Sequence, residues 1–464
     1  MHVSKVDQLD ILLDVGSGRT RAVAVERALR QSIVDGYLVP GTRLPSTREL
    51  AGELGCARAT VVTAYEQLGA EGYLVMVAGS GTTVANIRRT DTSRPSERPN
   101  PFFVELLPGE PDPSSFPRQA WAAAVRKVLQ TSPDDLLRYG DRQGLVTLRE
   151  ALAAYLARSR AVVTDPSRIV IFGGFAAALS ALAATFHRLG IERVAVENPC
   201  LPSIARIVAA AGPHIAPIAI DAEGLLVEEL GDVGAVTCTP AHQYPVGVVL
   251  SPARRAALVT WARESGGWIV EDDYDGEFRY DRRPVGALQG LDHERVIYGG
   301  TASKSLAPGV ALAWLVLPSA LLESVLDTMR ARRDRVSAIE QAALATFIMS
   351  GRLDRHVRAQ RLRYRRRRDA MMRILTDDAR SLEVTGVSAG LHLTALLHDR
   401  DEREIIERAA QRSVAMFGLA DHAVGPLTQQ GLVIGYSRSA SHAFPRALEM
   451  LSDVLSGPAR ARVR

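Results

Sequence analysis

Between Arg21 and Asp35 the apolar residues Val25, Ala28, Leu29 and Ile33 recur at helical spacing and the run stops at Gly36, which predicts a helix with one buried face. A second, short helix is predicted from Ser46 to about Leu54. Ser46-Thr47-Arg48-Glu49 is a capping box, in which Ser46 accepts from the first turn and Glu49 reaches back. Gly55 turns the chain, and Val61, Ala64, Tyr65 and Leu68 form the i, i+3, i+4, i+7 stripe of a third helix. Tyr73 to Val77 and Thr82 to Ala85, around Gly79-Ser80-Gly81, read as a two-stranded ribbon with a flexible tip. From Asn86 to Pro101 no apolar period remains, and the polar, proline-containing run reads as a solvated linker.

Beyond it the pattern changes. Apolar runs at Arg193 to Val196, Ala235 to Cys238, Trp268 to Val270 and Arg295 to Tyr298 alternate with longer helical stretches, which predicts a mostly parallel α/β sheet. The stretch from Ile169 to Phe186 carries no charge, but Gly173-Gly174 interrupts it and alanines dilute it. It is expected to be a buried strand turning into a packed helix rather than a membrane span. No fixed-period repeat stands out.

Composition adds bounds. A chain of 464 residues exceeds what one core usually supports, so two or more domains are expected, with a small head and a large body. A net charge of +4 spread over that length is a weak argument for nucleic acid, so a DNA partner must be argued from a motif. Cys56, Cys200 and Cys238 lack paired metal-ligand spacing, which argues against a disulfide framework and a zinc site and fits a reducing cytoplasm. Asp7, Asp10 and Asp14 break up the N-terminal run, so no secretory signal is expected and the location is read as cytoplasmic, with no membrane partner.

Two helices joined by a tight turn and followed by a ribbon read as a winged helix-turn-helix. The N-terminal residues of its second helix meet base edges and phosphates, which makes Arg58 and Thr60 candidates for contact, with Arg48 on the preceding helix. Gly79 and Gly81 in the wing would approach a backbone closely. Isolated arginines of this kind are more often solvated surface charges, but the ordered set of turn, helices and wing favours a double-stranded DNA operator. Pro40-Gly41-Thr42-Arg43-Leu44-Pro45-Ser46, Ala64-Tyr65-Glu66-Gln67-Leu68, Glu71-Gly72-Tyr73 and Gly79-Ser80-Gly81-Thr82 resemble the GntR-type winged-helix head. In that family a Ser or Thr usually precedes the recognition-helix arginine and the wing often carries a basic residue; here Ala57 and Val77 stand there.

In the body, the apolar strand Trp268-Ile269-Val270 delivers Glu271-Asp272-Asp273-Tyr274-Asp275 to its C-terminal end, where α/β sheets place ligand sites. A similar run leads into Gly299-Gly300-Thr301-Ala302-Ser303-Lys304. Pyridoxal phosphate (PLP) needs a lysine for its Schiff base, an acid for its ring nitrogen, and N–H and hydroxyl donors for its phosphate. Lys304, Asp272 and the region of Thr301, Ser303 and Gly174 supply each. The chain has only three lysines, at 5, 127 and 304, and arginine cannot replace lysine in this chemistry.

The wider pattern resembles the MocR subfamily, a GntR head fused to a fold-type I aminotransferase. It comprises Leu107-Pro108-Gly109-Glu110-Pro111-Asp112, Tyr139-Gly140-Asp141, Thr239-Pro240-Ala241-His242-Gln243-Tyr244-Pro245, Glu271 to Tyr280, and Ser303-Lys304 with Leu306-Ala307-Pro308-Gly309. The resemblance implies Lys304 as the imine lysine, Asp272 at the ring nitrogen and Tyr274 at the ring hydroxyl. It also implies phosphate held by Ser303, Thr301 and the backbone of Gly174, Phe175 and Ala176. Tyr139 would reach the phosphate across a homodimer interface, His242 would belong to the cofactor set, and Arg438 would grip an effector carboxylate. Three positions depart from the pattern: Ala311 replaces the usual phosphate arginine, Leu201 the ring-stacking aromatic, and Ala177 a common glutamine.

The expected class is therefore α/β, with a small N-terminal winged helix-turn-helix domain at 18–85, a linker at 86–104 and a large fold-type I PLP-transferase-like domain at 105–464. The function expected is transcription regulation, with PLP, an amino acid or an amine as effector and no catalytic or metal-binding residue assigned. A working aminotransferase with an appended head, and a regulator that has abandoned PLP, remain open at this point.

Overall fold

The capping box forms: the Ser46 hydroxyl accepts the Glu49 amide at 3.2 Å, and the Glu49 carboxylate accepts the Ser46 amide at 2.8 Å. In the computed structural model, which describes residues 20–77, 81–86, 103–281, 285–377 and 382–456, this starts the helix Thr47–Glu53. Thr20–Asp35 precedes it and Arg58–Ala70 follows. Val25, Leu29, Leu50, Val61, Tyr65 and Leu68 bury their apolar faces in one core, as their spacing requires. Leu74–Val77 pairs antiparallel with Gly81–Val84, so the ribbon is present and its second strand stops at Val84 rather than Ala85. Gly79, at the wing tip, lies outside the described residues.

The chain separates into two compact units, Met1–Pro99 and Asn100–Arg464. Most of the expected linker lies outside the described residues. Val104, its last residue, is buried and pairs in parallel with Val414. The body's structure thus begins inside the stretch read as linker, because a two-residue strand leaves no periodic signal.

The second unit is built on an eight-stranded sheet among the described residues. Its order is Ile169–Phe172, Ala313–Val316, Val296–Thr301, Trp268–Asp272, Ala235–Cys238, Arg193–Asn198, His214–Asp221 and Gly224–Leu225. All run parallel except Ala313–Val316 and the short edge strand Gly224–Leu225. The central strands are buried on both faces, which is why their sequences are continuous apolar runs and not alternating ones. The uncharged stretch divides as expected into the strand Ile169–Phe172 and the helix Phe175–Arg188, whose Ala178, Leu182 and Phe186 pack under the sheet. Among the described residues no helix is long and apolar enough to cross a membrane. A smaller antiparallel sheet, with His392–Leu397 and Gln430–Gly435 at its centre, packs with the helix Phe444–Leu455 around a separate core.

One buried ion pair fixes the acidic loop after Trp268–Asp272. The Arg160 guanidinium holds Asp273 through two bonds of 2.6 and 2.9 Å, with both side chains at most 3% exposed. Its remaining nitrogen donates to the carbonyls of Gly276 and Val285, and the Tyr298 hydroxyl donates to Asp273 at 2.7 Å. Every polar atom the pair brings inside is thereby bonded, the condition under which a buried charge pair is tolerated. Arg160→Ala leaves Asp273 buried and uncompensated and is expected to cost about 3–5 kcal/mol. Thermal and urea unfolding of the body measures this, and a loss below about 1 kcal/mol would show that the pair is dispensable.

Candidate functional site

In the first unit, Arg58 opens the helix Arg58–Ala70 and is exposed; its Nε donates to the Thr47 hydroxyl at 3.3 Å, joining the starts of the two helices. Arg48 is exposed and Thr60 half-buried. Ala57, at the N-cap, provides no side-chain bond, so the first amides of this helix stay available to a phosphate oxygen. Gly81 has φ +97° and its Cα faces the Arg43 guanidinium; an added Cβ would come within 3.1 Å of it. Arg43 was not among the sequence candidates, although it lies inside the Pro40 to Ser46 motif. Its place is set by the bridge from Arg43 to Thr83, which the sequence pattern does not reveal.

In the second unit, the C-terminal ends of the parallel strands bring their last residues to one cavity of about 320 Å³. Asp272 ends Trp268–Asp272, Thr301 ends Val296–Thr301, and Lys304 follows in the helical turn Ala302–Ser305. Phe175 and Ala176, at the start of the helix Phe175–Arg188, line the same cavity, with Gly174 at the N-cap in the left-handed region at φ +112°. An L side chain is strained there, and the turn leaves the helix's first amides uncapped. Gly299 lets Phe175 lie against the sheet, since a Cβ would meet its ring at 2.6 Å.

Asp272 accepts no hydrogen bond from any described residue, and burial raises its carboxyl to about 8 against the attraction of Lys304. Lys304 is lowered from the usual lysine value, also by burial, with Asp272 opposing. Each group is held against its charged form, and the amine is thereby shifted toward its nucleophilic state. Tyr274 lines the cavity, and burial raises its hydroxyl well above the usual tyrosine value.

His242 was expected in the cofactor set. It stands behind Tyr274, its Nδ1 3.0 Å from the Tyr274 hydroxyl and 2.8 Å from Asp275, and it is not on the cavity wall. Tyr139 is 82% exposed, with the Arg335 guanidinium 4.5 Å over its ring, and does not line the cavity of its own chain. Arg438 lies in a shallow recess with Phe103 and Ser439, and its guanidinium is engaged by Glu105 at 2.9 Å and Glu110 at 3.4 Å. Ala311 is left-handed at φ +48°, so the loop keeps a conformation uncommon for a residue with a Cβ while presenting only a methyl group. Leu201 lies on the wall, where it offers an apolar surface but no ring.

Sequence reasoning missed Glu110, Glu197 and Thr237, which also line the cavity. Glu197 accepts from the Thr239 amide and hydroxyl, and burial raises it to about 7. An acid inside the apolar run Arg193–Asn198 was the available signal.

The chain matches the family of bacterial regulatory proteins, gntR family, over residues 21–84, and the family of aminotransferase class I and II over residues 108–424. It is 34% identical over 439 residues to the pyridoxine biosynthesis transcriptional regulator PdxR of Corynebacterium glutamicum, covering 92% of this chain and 94% of that one. It is 32% identical over 436 residues to the probable rhizopine catabolism regulatory protein MocR of Rhizobium meliloti, covering 88% of each. A kynurenine aminotransferase of Pyrococcus horikoshii superposes with a TM-score of 0.68 at 25% identity, covering 76% of this chain and 90% of that one. The chain belongs to the MocR-type transcriptional regulators, in which a GntR helix-turn-helix domain is fused to an aminotransferase class I and II domain. PLP binding is a property of that fold, and DNA binding of that head.

Asp272 provides a pH test. Between an unfolded value near about 3.9 and a folded value of about 8, the folded chain holds this proton more tightly. Its contribution therefore favours folding at low pH and is lost as pH rises through about 8. Asp272→Asn stays neutral throughout. Without ligand at pH 9 the variant is expected to be more stable than the parent by on the order of 5 kcal/mol, with the difference shrinking toward pH 5. A variant that is less stable at pH 9 would contradict the assignment.

Proposed function

We propose that this transcriptional regulator binds a double-stranded operator in the cytoplasm through its head and senses PLP, or an amino compound that reacts with it, in the body. Arg48, Arg58, Thr60 and the wing around Gly79 and Gly81 are the DNA contacts of this reading, with Arg43 added at the wing base. The observation that carries the body's role is the placing of the buried Asp272 and the half-buried Lys304 on one cavity wall, with no hydrogen-bond partner among the described residues. Such groups call for a ligand that brings a ring N–H to one and a carbonyl carbon to the other.

The residues fit PLP in this way. Asp272 accepts from the ring nitrogen and is held ionised by its positive charge. Tyr274, oriented by His242 and Asp275, meets the ring hydroxyl. The amides of Phe175 and Ala176 with the Thr301 and Ser303 hydroxyls take the phosphate at a helix N-terminus. When bound, PLP supplies an aldehyde that condenses with primary amines and a ring able to carry charge. Lys304 supplies the amine of this chain, unprotonated more readily because it is buried. Tyr139, exposed on its own chain, reaches the phosphate of a second copy, so the working unit is a homodimer.

Ala311 and Leu201 weaken this pocket. A charge-assisted contact contributes about 1.5–3 kcal/mol, so the missing arginine lowers cofactor affinity by roughly ten- to a hundredfold.

The test is a visible absorbance titration of the full chain with PLP, repeated on Lys304→Ala and followed by borohydride trapping and peptide mapping. An absorbance band that maps to Lys304 and is absent in the variant is expected; no band at millimolar PLP would overturn the cofactor reading. Arg58→Ala is expected to weaken specific binding to DNA upstream of the chain's own or neighbouring genes by about 1–3 kcal/mol without moving the PLP band. Unchanged affinity in a mobility-shift assay would remove Arg58 from the interface.

A further inference from the structure

Ten of the 26 residues of the helix Arg352–Asp377 are arginines. Four are engaged within the fold: Arg363 and Arg367 bond Asp112 at 2.8 and 3.4 Å, Arg352 donates to the Ala120 carbonyl at 3.2 Å, and Arg368 lies 3.6 Å from Asp369. The other six, Arg355, Arg358, Arg361, Arg365, Arg366 and Arg373, are exposed. Leu353, Val357, Tyr364, Met371 and Leu375 bury the opposite face and so fix the rotation of the helix. At 3.6 residues per turn the six guanidinium stems fall within about 140° of its circumference and span about 27 Å of its length.

None of the six meets a carboxylate among the described residues. Arg355, Arg358, Arg361 and Arg373 donate only to backbone carbonyls, those of Ser350, Asp354, Glu277 and Asp369, and Arg365 and Arg366 have no polar partner there. The two described acids on this side are already taken, Asp354 by Arg158 at 2.8 Å and Asp369 by Arg368. Elsewhere on the body, exposed arginines such as Arg263, Arg403 and Arg446 are paired with acids. Arg355, Arg358, Arg361 and Arg365 also follow one another at three or four residues, the spacing at which like charges on a helix repel. The face is thus a row of cations held against its own repulsion, with Leu362 its only exposed large apolar side chain.

We propose that the exposed face of the helix Arg352–Asp377 binds the phosphate backbone of double-stranded DNA, without regard to sequence, as a second DNA surface on the body. It goes beyond the reading of the head, which supplies the sequence preference. Double-stranded DNA carries about one charge per 1.7 Å of its axis, so a straight row of this length meets phosphates along all of it. Guanidinium forks match phosphate oxygens and stay charged at every working pH. The row has neither the apolar area of a protein contact nor the enclosing donors of a small-anion site. A second copy of the chain fits poorly, since a two-fold contact would set arginine against arginine.

The test follows the affinity of the full chain against salt concentration on two duplexes of equal length, one from upstream of the chain's own gene and one with that sequence shuffled. Arg358→Gln, Arg365→Gln and Arg366→Gln are combined in one variant, which leaves the Arg361 bond to the Glu277 carbonyl in place. It is expected to make the slope of log K against log salt shallower by about 2–3 on both duplexes, at about 0.9 per lost phosphate contact. The preference for the upstream duplex is expected to hold within about twofold, because phosphate contacts carry no sequence information. Arg358→Lys, Arg365→Lys and Arg366→Lys together keep the charge and are expected to return the slope to within about 0.5 of the parent. An unchanged slope in the glutamine variant would leave the face to solvent or to an acidic protein and overturn the proposal. So would lysines that fail to restore the slope, or altered sedimentation of the glutamine variant, which would make the face a contact between copies. A chain without preference for the upstream duplex whose slope still falls sinks the head's reading alone. A chain with that preference and an unchanged slope sinks this inference alone, and no binding to either duplex sinks both.

Discussion

The site depends on the buried pair of Arg160 and Asp273. Asp272, Asp273 and Tyr274 are consecutive, and the pair draws the middle one away from the cavity while its neighbours stay on the wall. Arg160 also bonds the carbonyls of Gly276 and Val285 and so ties down the loop that follows. Three carboxylates in four residues would otherwise repel one another in a medium with little water. Here each has a separate outlet: Asp273 to Arg160, Asp275 to His242, and Asp272 to the cavity. Only the last is left without a partner.

That imbalance links stability to ligand binding. Keeping Asp272 and Lys304 out of water without satisfying either raises the free energy of the unliganded body, and a ligand that supplies both partners recovers it on binding. A ligand that binds only the folded chain also stabilises it by mass action. A body that gains charge balance when its site fills would have the kind of difference between two states that a regulator needs in order to respond.

Much of this was legible in the sequence where the signal is local. The capping box at Ser46, the stripe from Val61 to Leu68 and the apolar run into Asp272 each depend on residues within one element, and each forms. The positions of Lys304 and Asp272 at strand ends follow from the same local logic together with the sheet's parallel order. What was hidden is long-range. Arg160 meets Asp273 from 113 residues away, Val104 pairs with Val414, and Arg438 meets Glu105 and Glu110 from the far end of the sequence, so no periodicity announces them. His242 was placed in the cofactor set by its motif alone; that its ring bonds Tyr274 and Asp275 is visible only in the fold. Glu110 and Thr237 were passed over because their types carry no signal until the fold places them on one wall.

For the proposed regulator to respond to PLP, its two units must be coupled, so that filling the body alters the head's hold on DNA. It is tested by measuring operator affinity with and without saturating PLP and, on the same protein, PLP affinity with and without saturating operator. Linkage requires both ratios to be the same factor, expected between about 5- and 150-fold. A PLP-binding chain whose operator affinity is unchanged by PLP would contradict the account.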